Sequence, residues 1–198
     1  MKFRRHPVIT RRDLLLGSAA VLAASQPLVA EAHHTAKYKN FKVDPQYEPQ
    51  SVRYGFRYER GTIVVDPKNH FLYLIEGFGK ARRYGVGVGK AGLAFKGNAS
   101  VERKAEWPSW RPTKNMIRRE PGKYAKYAKG VPGGLNNPLG ARALYLYKNG
   151  RDTMYRIHGT TQPKSIGRSV SNGCIRMIND HVIDLYNRVP LGTKVVVL

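Results

Sequence analysis

With one exception, the patterned segments of this sequence are short and β-like, which confines the chain to a mostly β fold. Thr62-Ile63-Val64-Val65 runs into the turn-forming Asp66-Pro67-Lys68-Asn69, and His70 to Ile75 follows; together they predict a hairpin. Arg83 to Gly89 predicts a third strand, with glycines at bends or close backbone approaches. Ala143 to Tyr147, Thr153 to Ile157 and Lys194 to Leu198 read as further strands. Only His181 to Val189 sets apolar residues (Val182, Leu185, Tyr186, Val189) at helical spacing. From about Lys90 to Gly140 the pattern lapses into Trp107-Pro108-Ser109-Trp110-Arg111-Pro112, a basic Tyr-rich stretch from Arg118 to Lys129, and the turn signals Pro132-Gly133-Gly134 and Asn136-Asn137-Pro138. A long loop of this kind usually serves as a lid or a substrate wall. One mostly β domain is the expectation for 198 residues.

The front of the chain reads as an address. Lys2, Arg4, Arg5, Arg11 and Arg12 precede the short apolar run Leu14 to Ala24, and Ala30-Glu31-Ala32 offers a small-x-small cleavage site. Thr10-Arg11-Arg12-Asp13-Leu14-Leu15 resembles a twin-arginine signal, which delivers a protein already folded. The expected organisation is an export signal over 1–32, an extended lead-in over 33–60 and the folded domain over 61–198, with no stable membrane span once the signal is cleaved. The whole chain carries a formal charge of +22; residues 1–32 hold five basic and two acidic side chains, so +19 belongs to the remainder. Such a surface attracts polyanions. Export removes most encounters with nucleic acid, so no nucleic-acid partner is expected and an anionic wall is favoured. Arg118, Arg119, Lys123, Lys126 and Lys129, interleaved with Tyr124 and Tyr127, form the expected docking patch, set apart from the reacting residues. An ordinary solvated loop is the alternative.

A single cysteine excludes an intramolecular disulfide and a multi-cysteine zinc site. His33-His34 is at best a weak metal pair without a third ligand nearby, and Gly85-Val86-Gly87-Val88-Gly89 departs from the dinucleotide fingerprint. Two readings of Cys174 stand side by side. It could be a buried structural thiol, since free cysteine packs as a small hydrophobe. It could instead be reactive: Asn172-Gly173 forms a turn, Arg176 makes the setting cationic and so favours the thiolate, and His158 ends a β pattern where a base could sit. Spacing alone leaves both open.

Ile157-His158-Gly159-Thr160, then Ser165-Ile166-Gly167, then Ser171-Asn172-Gly173-Cys174-Ile175-Arg176-Met177 resembles the catalytic signature of the L,D-transpeptidases, which cross-link peptidoglycan through a cysteine nucleophile. The similarity runs from Gly61 to Leu198 and includes Pro163, Asn179-Asp180 and Leu191-Gly192-Thr193. It implies a β-sandwich catalytic fold with one short helix near the C-terminus. It also implies Cys174 as nucleophile, His158 as general base and acid, and the backbone N–H groups of Gly173 and Cys174 as oxyanion donors. Cys174 would attack the bond between the diamino acid and the terminal D-Ala of a stem tetrapeptide, and an amine would resolve the thioester. Many members have His where this chain has Asn172, so the base role rests on His158 alone. Arg176 would support the thiolate or the local hydrogen bonding, and Ser171 would shape the turn. Ser171, Asn172, Trp107 and Trp110 complete the candidate substrate-binding set. No metal, nucleotide or other cofactor is implied. The implied partners are peptidoglycan stem peptides, with a second stem, a lipoprotein lysine or the N-terminus of an outer-membrane protein as acceptor; the implied location is the periplasm. Three alternatives remain: an L,D-carboxypeptidase using water, a non-catalytic basic wall-binding module, and a secreted basic protein that binds nucleic acid or lipopolysaccharide through the Arg118–Lys129 patch.

Overall fold

The computed structural model describes residues 41–55 and 57–198. The expected export signal and His33-His34 lie outside the described residues. The strands are β1 (Gln50–Arg53), β2 (Ile63–Asp66), β3 (Phe71–Gly77), β4 (Lys80–Gly85), β5 (Val88–Gly89), β6 (Gly97–Glu106), β7 (Arg142–Lys148), β8 (Arg151–His158), β9 (Ser169–Ser171), β10 (Ile175–Arg176) and β11 (Thr193–Val197). Nine of them form one sheet in the order β1-β4-β3-β2-β11-β6-β7-β8-β10, and β5 pairs with β9 in a second, two-stranded sheet. The mostly β expectation holds.

The β2–β3 hairpin forms where the sequence placed it, because the Asp66 carboxylate ties its own turn, accepting from Asn69 N–H at 3.1 Å and from the Asn69 amide at 2.7 Å. Ile63, Val64 and Val65 are all fully buried, so β2 is covered on both faces. Ile63 and Val65 join the main core with Leu72, Leu144, Ile157 and Val195; Val64 joins Ile75 and Ala81 in a smaller cluster against Tyr54, Tyr58 and Tyr73. The helix near the C-terminus, α3 (Asn179–Arg188), buries Val182 and Leu185 in the main core. Lys104 donates to the carbonyls of Tyr186 at 2.6 Å and Val189 at 2.7 Å, capping the helix where its carbonyls lack intrahelical partners.

The described part of the lead-in packs on the domain: β1 pairs antiparallel with β4, and Tyr47 lies so close to Gly85 and Gly167 that a Cβ at either glycine would collide with it. Two expectations are corrected. The stretch expected to be irregular opens with the ten-residue β6, whose side chains are polar apart from Ala99, Val101 and Ala105 and of which only Val101 is buried. It continues into two short helices, α1 (Lys114–Arg119) and α2 (Pro121–Tyr124), so α3 is not the chain's one helix. Thr113 caps α1 by accepting from Met116 N–H at 3.1 Å, and Pro121 opens α2 at a position where its missing N–H costs nothing. The excursion is closed at its base by Trp110 and Val131, whose backbones exchange hydrogen bonds of 2.9 and 2.7 Å.

Candidate active site

Parallel pairing of two strand ends builds the site. β10 runs parallel to β8 with Ile175 opposite Ile157 and Arg176 opposite His158. Ile157 and Ile175 face the core, at 0% and 3% exposure. Because side chains alternate along a strand, Arg176 and His158 stand on the other face, and one step of alternation brings Cys174 and Arg156 to that same face. Diagonal neighbours on paired strands lie within reach of long side chains. The fold thereby sets the thiol and the imidazole, sixteen positions apart in sequence, into one block with two guanidinium groups.

The turn that presents Cys174 is held by Ser171. Its hydroxyl donates to the Cys174 carbonyl at 2.6 Å and accepts from the Gly173 N–H at 3.1 Å. The Gly173 N–H, an expected oxyanion donor, has the Ser171 hydroxyl as its partner in this structure. Gly173 has φ +122°, and a Cβ there would strike the Tyr155 ring and the Leu93 carbonyl. Only glycine fits without strain. The Tyr155 hydroxyl donates to that same Leu93 carbonyl at 3.1 Å, fixing the strand behind the turn to the loop in front of it.

Cys174 is half-buried, and its thiol lies 3.9 Å from the Met154 carbonyl. Burial pushes the thiol up, and the Arg156 backbone N–H and then the Arg156 and Arg176 charges only partly oppose it. The cationic setting legible in the sequence is real, but desolvation outweighs it, and the resting group is the thiol. His158 is 4% exposed, and burial together with the Arg176 charge lowers its pKa to about 3, against the hydrogen bond to Gly159. Its Nδ1 lies 2.5 Å from the Gly159 carbonyl. With the proton on Nδ1 donated to that oxygen, Nε2 keeps the lone pair a base needs. The Gly159 segment is pinned in turn by Asn179, whose side-chain oxygen accepts from Ala141 N–H at 3.1 Å, while Gly159 N–H donates to the Arg142 carbonyl at 3.0 Å.

Thiol and imidazole open into a cleft of about 1190 Å³, walled by the 111–130 excursion. Asn172 joins turn to wall: its amide donates to the Tyr124 hydroxyl at 2.7 Å and its oxygen accepts from Arg119 at 3.4 Å. Trp110 lines the cleft, with its ring 6.3 Å from that of Tyr124 and 5.8 Å from that of Tyr127. Trp107 is not among the lining residues, so the structure separates the two tryptophans. Arg176 also faces the cleft and donates to the Gln162 side chain at 3.0 Å. The basic stretch is not apart from the chemistry, since Arg119, Lys123 and Lys126 line the same cleft as Cys174. Sequence reasoning missed Arg156, which had a signal two positions before His158 on one strand. It named Tyr124 only in a patch set apart from Cys174, and Asn179 only as part of the resemblance; the contacts that bring both to the site join residues far apart in the chain.

A family model for the L,D-transpeptidase catalytic domain (YkuD) matches residues 60–197. The chain belongs to that family. It is 36% identical over 156 residues to the probable L,D-transpeptidase ErfK/SrfK of Escherichia coli K12, covering 76% of this chain and 47% of that protein. It is 32% identical over 149 residues to the probable L,D-transpeptidase YbiS of the same strain, covering 74% and 47%. This L,D-transpeptidase-family chain thus spans about half the length of those relatives. A solved structure from Brucella melitensis, described as a probable carnitine operon oxidoreductase, is 57% identical with a TM-score of 0.54, covering 79% of this chain and 96% of that one.

Proposed function

We propose that this protein is a peptidoglycan L,D-transpeptidase in which Cys174 and His158 carry the acyl transfer. The observation that carries the reading is the β8–β10 pairing, which sets a thiol and a neutral imidazole on one face at the floor of a peptide-sized cleft. His158 takes the thiol proton as the sulfur attacks the carbonyl between the diamino acid and the terminal D-Ala of a stem tetrapeptide. The C–N bond breaks, His158 returns the proton to the departing D-Ala amine, and a thioester remains. An amine acceptor then attacks the thioester, losing its proton to His158, and Cys174 leaves as the thiol. Charge on the carbonyl oxygen is met by the Cys174 N–H, because the Gly173 N–H is held by Ser171. Arg176 and Arg156 stabilise the thiolate once it forms, through their charges.

The catalytic unit corresponds to residues 61–198, with the lead-in packed on it and residues 1–32 serving as an export signal of the twin-arginine kind to the periplasm. Among the described residues no helix is long and apolar enough to cross a membrane. The Brucella protein bears a redox name; in this chain the run Gly85 to Gly89 passes from the end of β4 to β5 with no helix opening behind it, so it offers no dinucleotide loop.

Incubating the protein with a stem tetrapeptide and an amine acceptor should release D-Ala and yield the joined peptide, and a carbapenem should add one drug mass to Cys174. Cys174→Ala should do neither while keeping its fold by circular dichroism. D-Ala release without a joined product would identify water as the acceptor. A carbapenem adduct on the alanine variant would move the nucleophile elsewhere.

A further inference from the structure

Six cationic side chains line the Cys174 cleft, namely Lys90, Lys114, Arg119, Lys123, Lys126 and Arg176, and no Asp or Glu is among the lining residues. One of these charges is answered: Lys123 pairs with Glu120 at 3.3 Å, whereas Arg176 and Arg119 donate to the neutral side chains of Gln162 and Asn172, which orient them without cancelling their charge. Lys90, Lys114 and Lys126 form no ion pair among the described residues, and all three are exposed to the cleft. They stand on two walls. Lys90 follows β5, and its backbone N–H donates to the Ser171 carbonyl at 3.0 Å, so it sits at the nucleophile turn itself. Lys114 opens α1 and Lys126 follows α2 on the excursion, the Lys126 ammonium lying 5.1 Å from the Tyr127 ring centre. A concave wall of one sign focuses its field on whatever enters.

We infer that this cleft selects its donor by charge, favouring a stem peptide whose side-chain carboxylates are free over the same peptide with those carboxylates converted to carboxamides. The inference rests on the stem-peptide reading above, and names the donor class that reading leaves open. No single exposed lysine would discriminate much. Three acting together on one bound peptide give a preference of about tenfold, and salt weakens it because the charges are solvent-exposed.

The test uses binding to full-length Cys174→Ala, so that turnover plays no part. Calorimetry compares a synthetic tetrapeptide carrying free side-chain carboxylates with its carboxamide twin, at low and at high sodium chloride. The carboxylate peptide should bind about tenfold tighter at low salt, with the advantage falling to about twofold at high salt. Adding Lys90→Gln, Lys114→Gln and Lys126→Gln should cut the low-salt ratio to about threefold or less, Arg119 and Arg176 remaining in the cleft. Equal binding of the two peptides, a preference undiminished by the triple substitution, or no binding of either would overturn the inference. D-Ala release by the wild-type protein is measured separately. A charge preference without release would remove the acyl-transfer reading and leave charge selection standing, whereas release without preference would do the reverse.

Discussion

Cys174 and His158 rest as a neutral pair, since burial raises the thiol and lowers the imidazole to about 3. Under the proposed mechanism the reacting species is the thiolate–imidazolium pair, which holds the same number of protons as thiol plus imidazole, so its population does not change with pH between those limits. Alkylation of Cys174 by iodoacetamide, followed by mass spectrometry, should therefore run flat from about pH 4 to neutrality, with no inflection near the ordinary histidine value of about 6.5. It should rise only on the alkaline side, as the thiol ionises unaided. His158→Gln should lower the plateau by tenfold or more and keep the alkaline rise. An inflection near 6.5 in the wild-type profile would show an imidazole that is open to solvent. Ser171 is tested by a different quantity. Losing its two hydrogen bonds should cost about 1–3 kcal/mol in urea denaturation of Ser171→Ala, and should slow alkylation through loosening of the turn.

Among the elements, the 111–130 excursion touches the Cys174 turn through Asn172 and is pinned at its base by Trp110 and Val131. Asn172→Ala removes the upper tie and leaves the lower one. Hydrogen exchange across α1 and α2 should speed up several-fold, while global stability changes by less than about 1 kcal/mol; unchanged exchange would show that the ring packing of Trp110, Tyr124 and Tyr127 holds the wall alone. The hairpin, β7, β8, β11 and α3 were legible because each carries an apolar pattern that matches what it buries. β6 was not. Its run from Asn98 to Glu106 is mostly polar because it packs through Val101 and is fixed by backbone pairing to β11 on one side and β7 on the other. The helices of the excursion escaped notice because α1 and α2 span six and four residues, less than two helical turns each. For the site, the motif named Cys174 and His158. The parallel register that unites them, and the burial that neutralises both, depend on pairings that no local pattern encodes.

At the scale of the whole molecule, the described residues before Gly61 belong to the structure. β1 covers the edge of β4, Tyr47 packs against Gly85 and Gly167, and the His181 ring meets the Glu48 carboxylate at 3.1 Å. A chain begun at Gly61 should lose about 2 kcal/mol or more in urea denaturation and aggregate more readily, because an unpaired strand edge invites pairing with other chains. A truncated chain as stable as the full one would show that these contacts add nothing. β11 has a consequence of another kind. It sits between β2 and β6, parallel to one and antiparallel to the other, and it alone links the four strands β1 to β4 to the four strands β6, β7, β8 and β10 in the sheet order. In chain order β11 comes after all the strands it joins, so the edges of β2 and β6 stay open on the nascent chain until residues 193–197 have cleared the ribosome, a period in which unpaired strand edges invite association with other chains.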